Sequence, residues 1–367
     1  MRILFISDLL SYGGASKLIY DLLPRMKKKG NYCELLILMD KNSKYLDELK
    51  NEGIKVQIVP KNIKSHIGRI NYLKKYIVSG KYDIIHAHLF PTIYYCSVIK
   101  RILGKKCPPI VMTEHNTDNR RRHKSYLRPL EQFMYKPYDH VISISKQTQT
   151  NLLKWIRPKN KNKFSTIENG IDVGKFQLAE PLDKKELYPA YREGNILLLT
   201  VGRFEKQKNH EGLIKAFAKL PTNYVLLLCG EGSLEHRIKM LVNELNVSER
   251  VVFLGFRSDV ARIMHTADIM VIPSIWEGFG LIAAEGMACS IPIVASNVPG
   301  LREVIGDAGI LFNPMAPAEI AKAVTSCTNA KREMMVQAGL KRVQSFDIDK
   351  MVKSYLRVYM KICIQDR

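Results

Sequence analysis

Short runs of aliphatic and β-branched residues recur along this chain, each bounded by turn residues and followed by an amphipathic stretch. That alternation restricts the fold more than any other feature. Residues 2–7 (RILFIS), 33–39 (CELLILM), 54–59 (IKVQIV), 82–88 (YDIIHAH), 109–115 (PIVMTEH) and 139–145 (DHVISIS) are largely apolar without a two-residue period. This is the pattern of strands covered on both faces. Between them, ASKLIYDLLPRMKKKG and HIGRINYLKKYIVSG space their apolar residues helically and stop at Gly30 and Gly80, as helices commonly do. After stretches without a clear period around residues 157–163 and 176–194, a second series begins: NILLLTVG, YVLLLCGEG, VVFLGF, DIMVIPS, IPIVAS and GILFNP. Strands alternating with helices predict parallel, doubly wound sheets. Two series predict an α/β chain of two tandem Rossmann-like domains, residues 1–170 and 171–346. The segment 347–367 contains the helical pattern IDKMVKSYLRVYMKI with no strand after it, and is expected to cross back onto the first domain. Ligands of such sheets bind at the carboxyl ends of the strands, so the active site is expected in a cleft between the halves.

The chain length of 367 residues suits two cores of ordinary size. With 46% hydrophobic and 25% charged residues, the composition is that of a globular protein. The seven cysteines are scattered, form no C-x-x-C pair and have no adjacent histidine cluster. They predict reduced thiols and argue against a zinc site. MRILFIS has too short an apolar run for an export signal and reads as a first strand. No window approaches the length of a membrane span. The formal net charge is +22, and residues 1–165 carry 32 Lys and Arg against 12 Asp and Glu. Nearly all of the excess therefore belongs to the first domain, which is expected to face an anionic surface or polyanion.

WEGFGLIAAEGMA, residues 276–288, contains G-x-G-x-x-A at Gly278, Gly280 and Ala283, following a strand and opening a helix. A dinucleotide site also needs an acidic residue about 20 positions on, and IPIVAS ends in Ser296 and Asn297 instead. Glu277 beside the first glycine would repel a pyrophosphate. Carboxylates accept hydrogen bonds from paired sugar or ribose hydroxyls, and the amides of Gly278, Phe279 and Gly280 at a helix start suit phosphate. Glu277 and Glu285 together with that turn fit a sugar nucleotide better than a dinucleotide.

EGFGLIAAE, with seven residues between Glu277 and Glu285, resembles the E-x7-E motif of the retaining glycosyltransferases of family 4, which have the two-Rossmann GT-B fold. VGRFEKQKNHEGLIKAF is similar to that family's diphosphate-binding segment, with Arg203 and Lys208 as its cations. SYGGASKLIYDLL, with Gly13 and Gly14, resembles its N-terminal glycine loop, and ENGID (168–172) and PGLREVI (299–305) follow in the usual order. The resemblance implies a donor site of Gly14, Arg203, Lys208, Gly278, Phe279, Gly280, Leu281 and Glu285, with His115 and Glu277 as the catalytic pair on the donor sugar. It implies transfer from a nucleotide-diphosphate sugar, UDP favoured, with the anomeric configuration retained and no cofactor. Each residue also has a plainer reading: a structural histidine, a solvated Arg and Lys pair, an ion-paired helix glutamate. Their positions at strand ends favour function.

Metal-dependent transferases often carry an aspartate pair, D-x-D, and none is expected in this chain. Arg203, Lys208 and the helix start are expected to stabilise the leaving diphosphate without a metal. Arg120, Arg121 and Arg122, in HNTDNRRRHK, are candidate acceptor contacts. A polyprenyl-diphosphate-linked saccharide would engage them, while Lys100, Arg101, Lys105 and Lys106, on helices that also carry Tyr94, Tyr95, Ile99 and Leu103, would meet an anionic membrane. The expected location is the cytoplasmic face of the membrane, peripherally bound. Two alternatives stand beside this: a sugar-nucleotide epimerase or phosphorylase of similar architecture, and a basic nucleic-acid-binding protein. The second leaves EGFGLIAAE unexplained, so no nucleic-acid partner is expected.

Overall fold

A computed structural model describes residues 1–10, 13–40, 44–117, 119 and 121–365. The chain divides into two compact units, one of residues 1–170 with the final helix, the other of residues 171–347.

In the first unit, β1 (Arg2–Ser7), β2 (Tyr32–Ile37), β3 (Lys55–Ile58), β4 (Ile84–His88), β5 (Ile110–Glu114), β6 (His140–Ser143) and β7 (Phe164–Thr166) form one parallel sheet in the order β3-β2-β1-β4-β5-β6-β7. The apolar runs have no two-residue period because helices cover both faces. Ile3 and Phe5 of β1 pack under the helices Gly14–Lys28 and Lys44–Asn51 and the final helix Ile348–Gln365. Leu4 and Ile6 pack under His66–Gly80, Thr92–Leu103 and Lys146–Ile156. The final helix seats Ile348, Met351, Val352, Tyr355, Tyr359 and Ile362 in the first of these layers. Their three- and four-residue spacing puts all six on one stripe.

The second unit repeats the winding. β8 (Ile196–Val201), β9 (Tyr224–Cys229), β10 (Val251–Gly255), β11 (Ile269–Ile272), β12 (Ile293–Ser296) and β13 (Gly309–Phe312) pair in parallel as β10-β9-β8-β11-β12-β13. Both sheets are wound outward from their first strand in two directions. The loops after β1 and β4, and those after β8 and β11, therefore leave neighbouring strands in opposite directions and open a crevice at each sheet's carboxyl edge.

Two features differ from the sequence reading. β7 is a seventh strand just beyond the first stretch without a period, and FST is only three residues long with two of them polar. The region after it, also without a period, contains two short helices, Val173–Gln177 and Lys184–Leu187. Asp172 and Asp183 cap them through side-chain oxygens, the latter in a capping box with Glu186. None of the seven cysteines is in a disulfide, and only Cys363 is not buried.

Candidate functional site

In the second unit, the loop after β8 runs through Arg203 into a 3-10 turn, Lys206–Lys208, before the helix His210–Phe217. The loop after β11, residues 273–280, leads into the helix Leu281–Ala288. β8 and β11 are neighbours in the sheet, so these loops meet. Lys208 Nζ lies 2.5 Å from Glu277 Oε1. Ser274 Oγ donates to the same oxygen at 2.8 Å. The backbones are stitched as well: Gln207 Nε2 donates to the Trp276 carbonyl at 2.8 Å, and the Ile275 N–H donates to the Gln207 carbonyl at 2.8 Å. The side chains of Lys208 and Glu277 retain 21% and 11% exposure, so both are accessible to a ligand. Arg203 is exposed and makes no ion pair among the described residues.

Two glycines shape the turn. Gly280 takes a left-handed φ of 88° as the residue before the helix, which lets the loop enter Leu281–Ala288 abruptly. Gly300, in PGLREVI, has φ 87°, and a Cβ there would sit 2.8 Å from the Glu277 carbonyl oxygen. Phe279 is buried edge-on against Phe346, with ring centroids 5.5 Å apart. Gly278 and Leu281 are partly accessible beside it, whereas Glu285 is buried one turn into the helix. Burial pushes the Cys289 thiol up to about 12, and the negative charge of Glu285 adds to that shift.

In the first unit, His115 follows β5 directly, and its Nε2 lies 2.9 Å from Nδ1 of His88, the last residue of the adjacent β4. Burial lowers His115 to about 4 and His88 well below the ordinary histidine value. Both rings are therefore neutral near pH 7. His88 Nε2 and His115 Nδ1 are buried with no hydrogen-bond partner among the described residues. Behind them His86 meets Thr113 Oγ1 at 2.9 Å and the Tyr359 hydroxyl at 2.5 Å. His88 is the site residue that the sequence reading passes over, although the HAH at a strand end signals it.

Gly14 is exposed at the start of the helix Gly14–Lys28, and Ser11 and Tyr12 of its loop lie outside the described residues. So does Arg120. Arg121 Nε donates to the fully buried Glu131 at 2.7 Å, and Arg122 Nη2 to the buried Glu114 at 2.8 Å. These two arginines neutralise internal carboxylates and brace the loop after β5. Lys100 is also engaged inward, 3.1 Å from Asp139. Tyr95 and Ile99 are buried, and the Tyr94 hydroxyl donates to Glu131. The apolar residues that do reach the surface there are Ile102, Tyr126, Leu130 and Phe133, among the exposed Arg101, Lys105, Lys106, Lys124 and Lys136. The Arg101 guanidinium lies 3.5 Å above the Phe133 ring.

The chain does contain one D-x-D, Asp347-Ile348-Asp349, but it opens the final helix, where Asp349 lies 3.6 Å from Lys29. Among the described residues no group of three or more His, Cys, Asp or Glu is arranged to hold a metal ion. No helix among them is long and apolar enough to cross a membrane.

Residues 185–342 match the family model described as glycosyl transferases group 1, and residues 12–175 match that of glycosyltransferase family 4. The uncharacterized glycosyltransferase MJ1607 of Methanocaldococcus jannaschii is 30% identical over 297 residues, which cover 76% of this chain and 75% of that one. The UDP-Gal:alpha-D-GlcNAc-diphosphoundecaprenol alpha-1,3-galactosyltransferase of Escherichia coli is 28% identical over 72% of this chain and 71% of its own. Among solved structures, HepE of Anabaena in complex with UDP superposes with a TM-score of 0.83 at 20% identity, covering 97% of this chain and 99% of that one.

Proposed function

The chain belongs to the family 4 glycosyltransferases of GT-B fold, and from that premise we propose that it moves a sugar from a UDP-sugar to a polyprenyl-diphosphate-linked saccharide, with retention and without a metal ion. The observation that carries this reading is the meeting of Lys208 and Glu277 on two loops of one switch-point crevice, beside a helix N-terminus. An ammonium and a helix N-terminus suit a diphosphate, and a carboxylate next to them suits sugar hydroxyls.

In this reading Arg203 and Lys208 hold the donor diphosphate and offset the charge that grows on it as the glycosidic bond breaks. Glu277 orients the sugar through its hydroxyls, and Glu285 takes the ribose. Gly14 approaches the diphosphate, and His115 acts on the same donor sugar. The acceptor belongs to the first unit in this reading; of its three candidate arginines, Arg121 and Arg122 are engaged by Glu131 and Glu114, and Arg120 lies outside the described residues. The lipid-linked acceptor is supported by the relative whose name contains a diphosphoundecaprenol substrate and by the basic and apolar surface around Arg101 and Phe133. That surface supports a reading in which the protein binds peripherally at the inner membrane face.

The test is transfer from a panel of UDP- and other nucleotide-sugars to a polyprenyl-diphosphate saccharide, with and without a strong chelator, and with the product anomer read by NMR. The reading requires chelator-resistant transfer with a retained anomer. Metal dependence, an inverted product or preference for a water-soluble acceptor would each remove the corresponding part.

A further inference from the structure

Two neutral imidazoles in contact share a single proton across their hydrogen bond, so the tautomer of one dictates that of the other. If His88 donates through Nδ1–H, then His115 must carry its own proton on Nδ1 and offers a donor there; if His115 donates through Nε2–H, its Nδ1 is a bare acceptor. The 2.9 Å contact between His88 Nδ1 and His115 Nε2 therefore decides what His115 presents. His88 itself has little freedom. Its ring stacks on Phe5 at 5.6 Å, with 13° between planes, and lies 4.0 Å from the His86 ring on the other contact. His86 is pinned in turn by Thr113 and by Tyr359 of the final helix.

We propose that His88 is a positioning residue: through its Nδ1 it holds the His115 ring in one orientation and one tautomer, leaving His115 Nδ1 as the ring atom that meets substrate. The inference rests on the reading of His115 as a donor-facing group. A buried pair whose only task was to fill space would not leave His115 Nδ1 and His88 Nε2 both without partners among the described residues, because unpaired buried polar atoms weaken a fold. A second layer that fixes the tautomer of an acting histidine is a recurrent device.

The experiment uses the full-length protein labelled with ¹⁵N-histidine, with long-range ¹H–¹⁵N spectra reporting each ring's tautomer and the His115→Gln spectrum assigning residue 115. The wild type shows one neutral tautomer for His115. His88→Leu yields averaged nitrogen shifts, and His88→Asn, whose amide stands where Nδ1 stood, restores a single tautomer. In transfer assays His88→Leu lowers kcat by up to about a hundredfold, the scale of a small misplacement, while donor KM changes little; His88→Asn recovers most of the loss. An unchanged His115 spectrum in His88→Leu overturns the proposal, as does full activity of that variant when His115→Gln is impaired. If His115→Gln is itself fully active, the fault lies with the reading of His115 and the spectra still decide the coupling. Should the leucine variant fail to fold, His88→Asn against His88→Gln, which reaches only toward the Nε2 position, makes the same comparison.

Discussion

Lys208 and Glu277, 69 residues apart in sequence, share an ion pair of 2.5 Å to which Ser274 adds a third hydrogen-bonding group. Partly exposed pairs of this kind contribute about 1 kcal/mol or less to stability, so their substitution should act on ligand and turnover while the fold persists. We expect Lys208→Met and Glu277→Gln each to lower kcat/KM for the donor on the order of a hundredfold. The double variant should lose less than the product of the two, because each residue orients the other. Near-normal turnover in a folded Glu277→Gln protein would remove the central assignment, and full multiplicative loss in the double variant would show that the two act independently.

Gly300 bears on the same site through shape. A Cβ at this position would lie 2.8 Å from the Glu277 carbonyl oxygen, whereas at Gly30, with a similar φ of 79°, it would meet nothing within 4 Å. Alanine at either position is strained by its positive φ, and at Gly300 a ψ of −62° places the backbone outside the left-handed helical region as well. Only Gly300→Ala must also move the loop that holds Glu277. Calorimetric titration with UDP should therefore show weaker binding for Gly300→Ala and unchanged binding for Gly30→Ala. Equal effects would mean that the contact does not shape the donor loop.

The strands were legible because two-sided burial writes a continuous apolar run, and the switch-point loops were legible because their glycines and charges follow those runs directly. β7 was not, since Phe164–Thr166 is too short and polar to stand out. The run of arginines after His115 suggests an anion receptor, but the carboxylates that engage Arg121 and Arg122 come from Glu131 and Glu114, and no local period announces such pairing. Likewise the helix Thr92–Leu103 turns Ile102 outward and Tyr95 and Ile99 inward, onto the sheet and the neighbouring helix His66–Gly80, whose His66 meets the Tyr95 hydroxyl. The contact of His88 with His115 forms only across β4 and β5, where the register pairs His88 with Thr113 and brings it within reach of the residue two positions on. Contacts across strands, unlike periods along them, are not written locally.

Burial of neutral histidines predicts acid sensitivity. His210 is buried with both ring nitrogens unpaired, and burial, reinforced by the nearby Lys208 charge, lowers it to about 4. In the unfolded chain it titrates near 6.5, so between about 6.5 and 4 the unfolded state binds the extra proton. The neutral folded form is thus fully favoured above pH 6.5, and stability is lost as pH falls through that window, by about 1.4 kcal/mol per pH unit for each such group. His115 and His140, also lowered to about 4, act in the same direction. Urea unfolding measured from pH 7 to 4.5 should show this slope, and His210→Leu should reduce it by about one proton. A slope unchanged in that variant would show that His210 does not stay neutral in the fold.

The proposed function assigns contact with lipid to the surface of the first unit around Arg101 and Phe133. Arg101, Lys105 and Lys106 are exposed beside Ile102, Leu130 and Phe133, whereas Lys100 is turned to Asp139 and should matter little. Each cation near an anionic leaflet contributes roughly 1 kcal/mol, and that part weakens as salt shortens the screening length. Burial of an apolar side chain such as Ile102 or Phe133 adds about 1.5–3 kcal/mol and is insensitive to salt. Sedimentation with vesicles containing anionic lipid should therefore show binding with two components. The triple change Arg101→Glu, Lys105→Glu, Lys106→Glu should abolish the salt-sensitive component, and Ile102→Ser with Phe133→Ser the remainder. Hydrolysis of the free donor should survive both sets, because Lys208 and Glu277 belong to the other unit. If the wild-type protein ignores such vesicles at low salt, the basic half of the chain serves some partner other than a membrane.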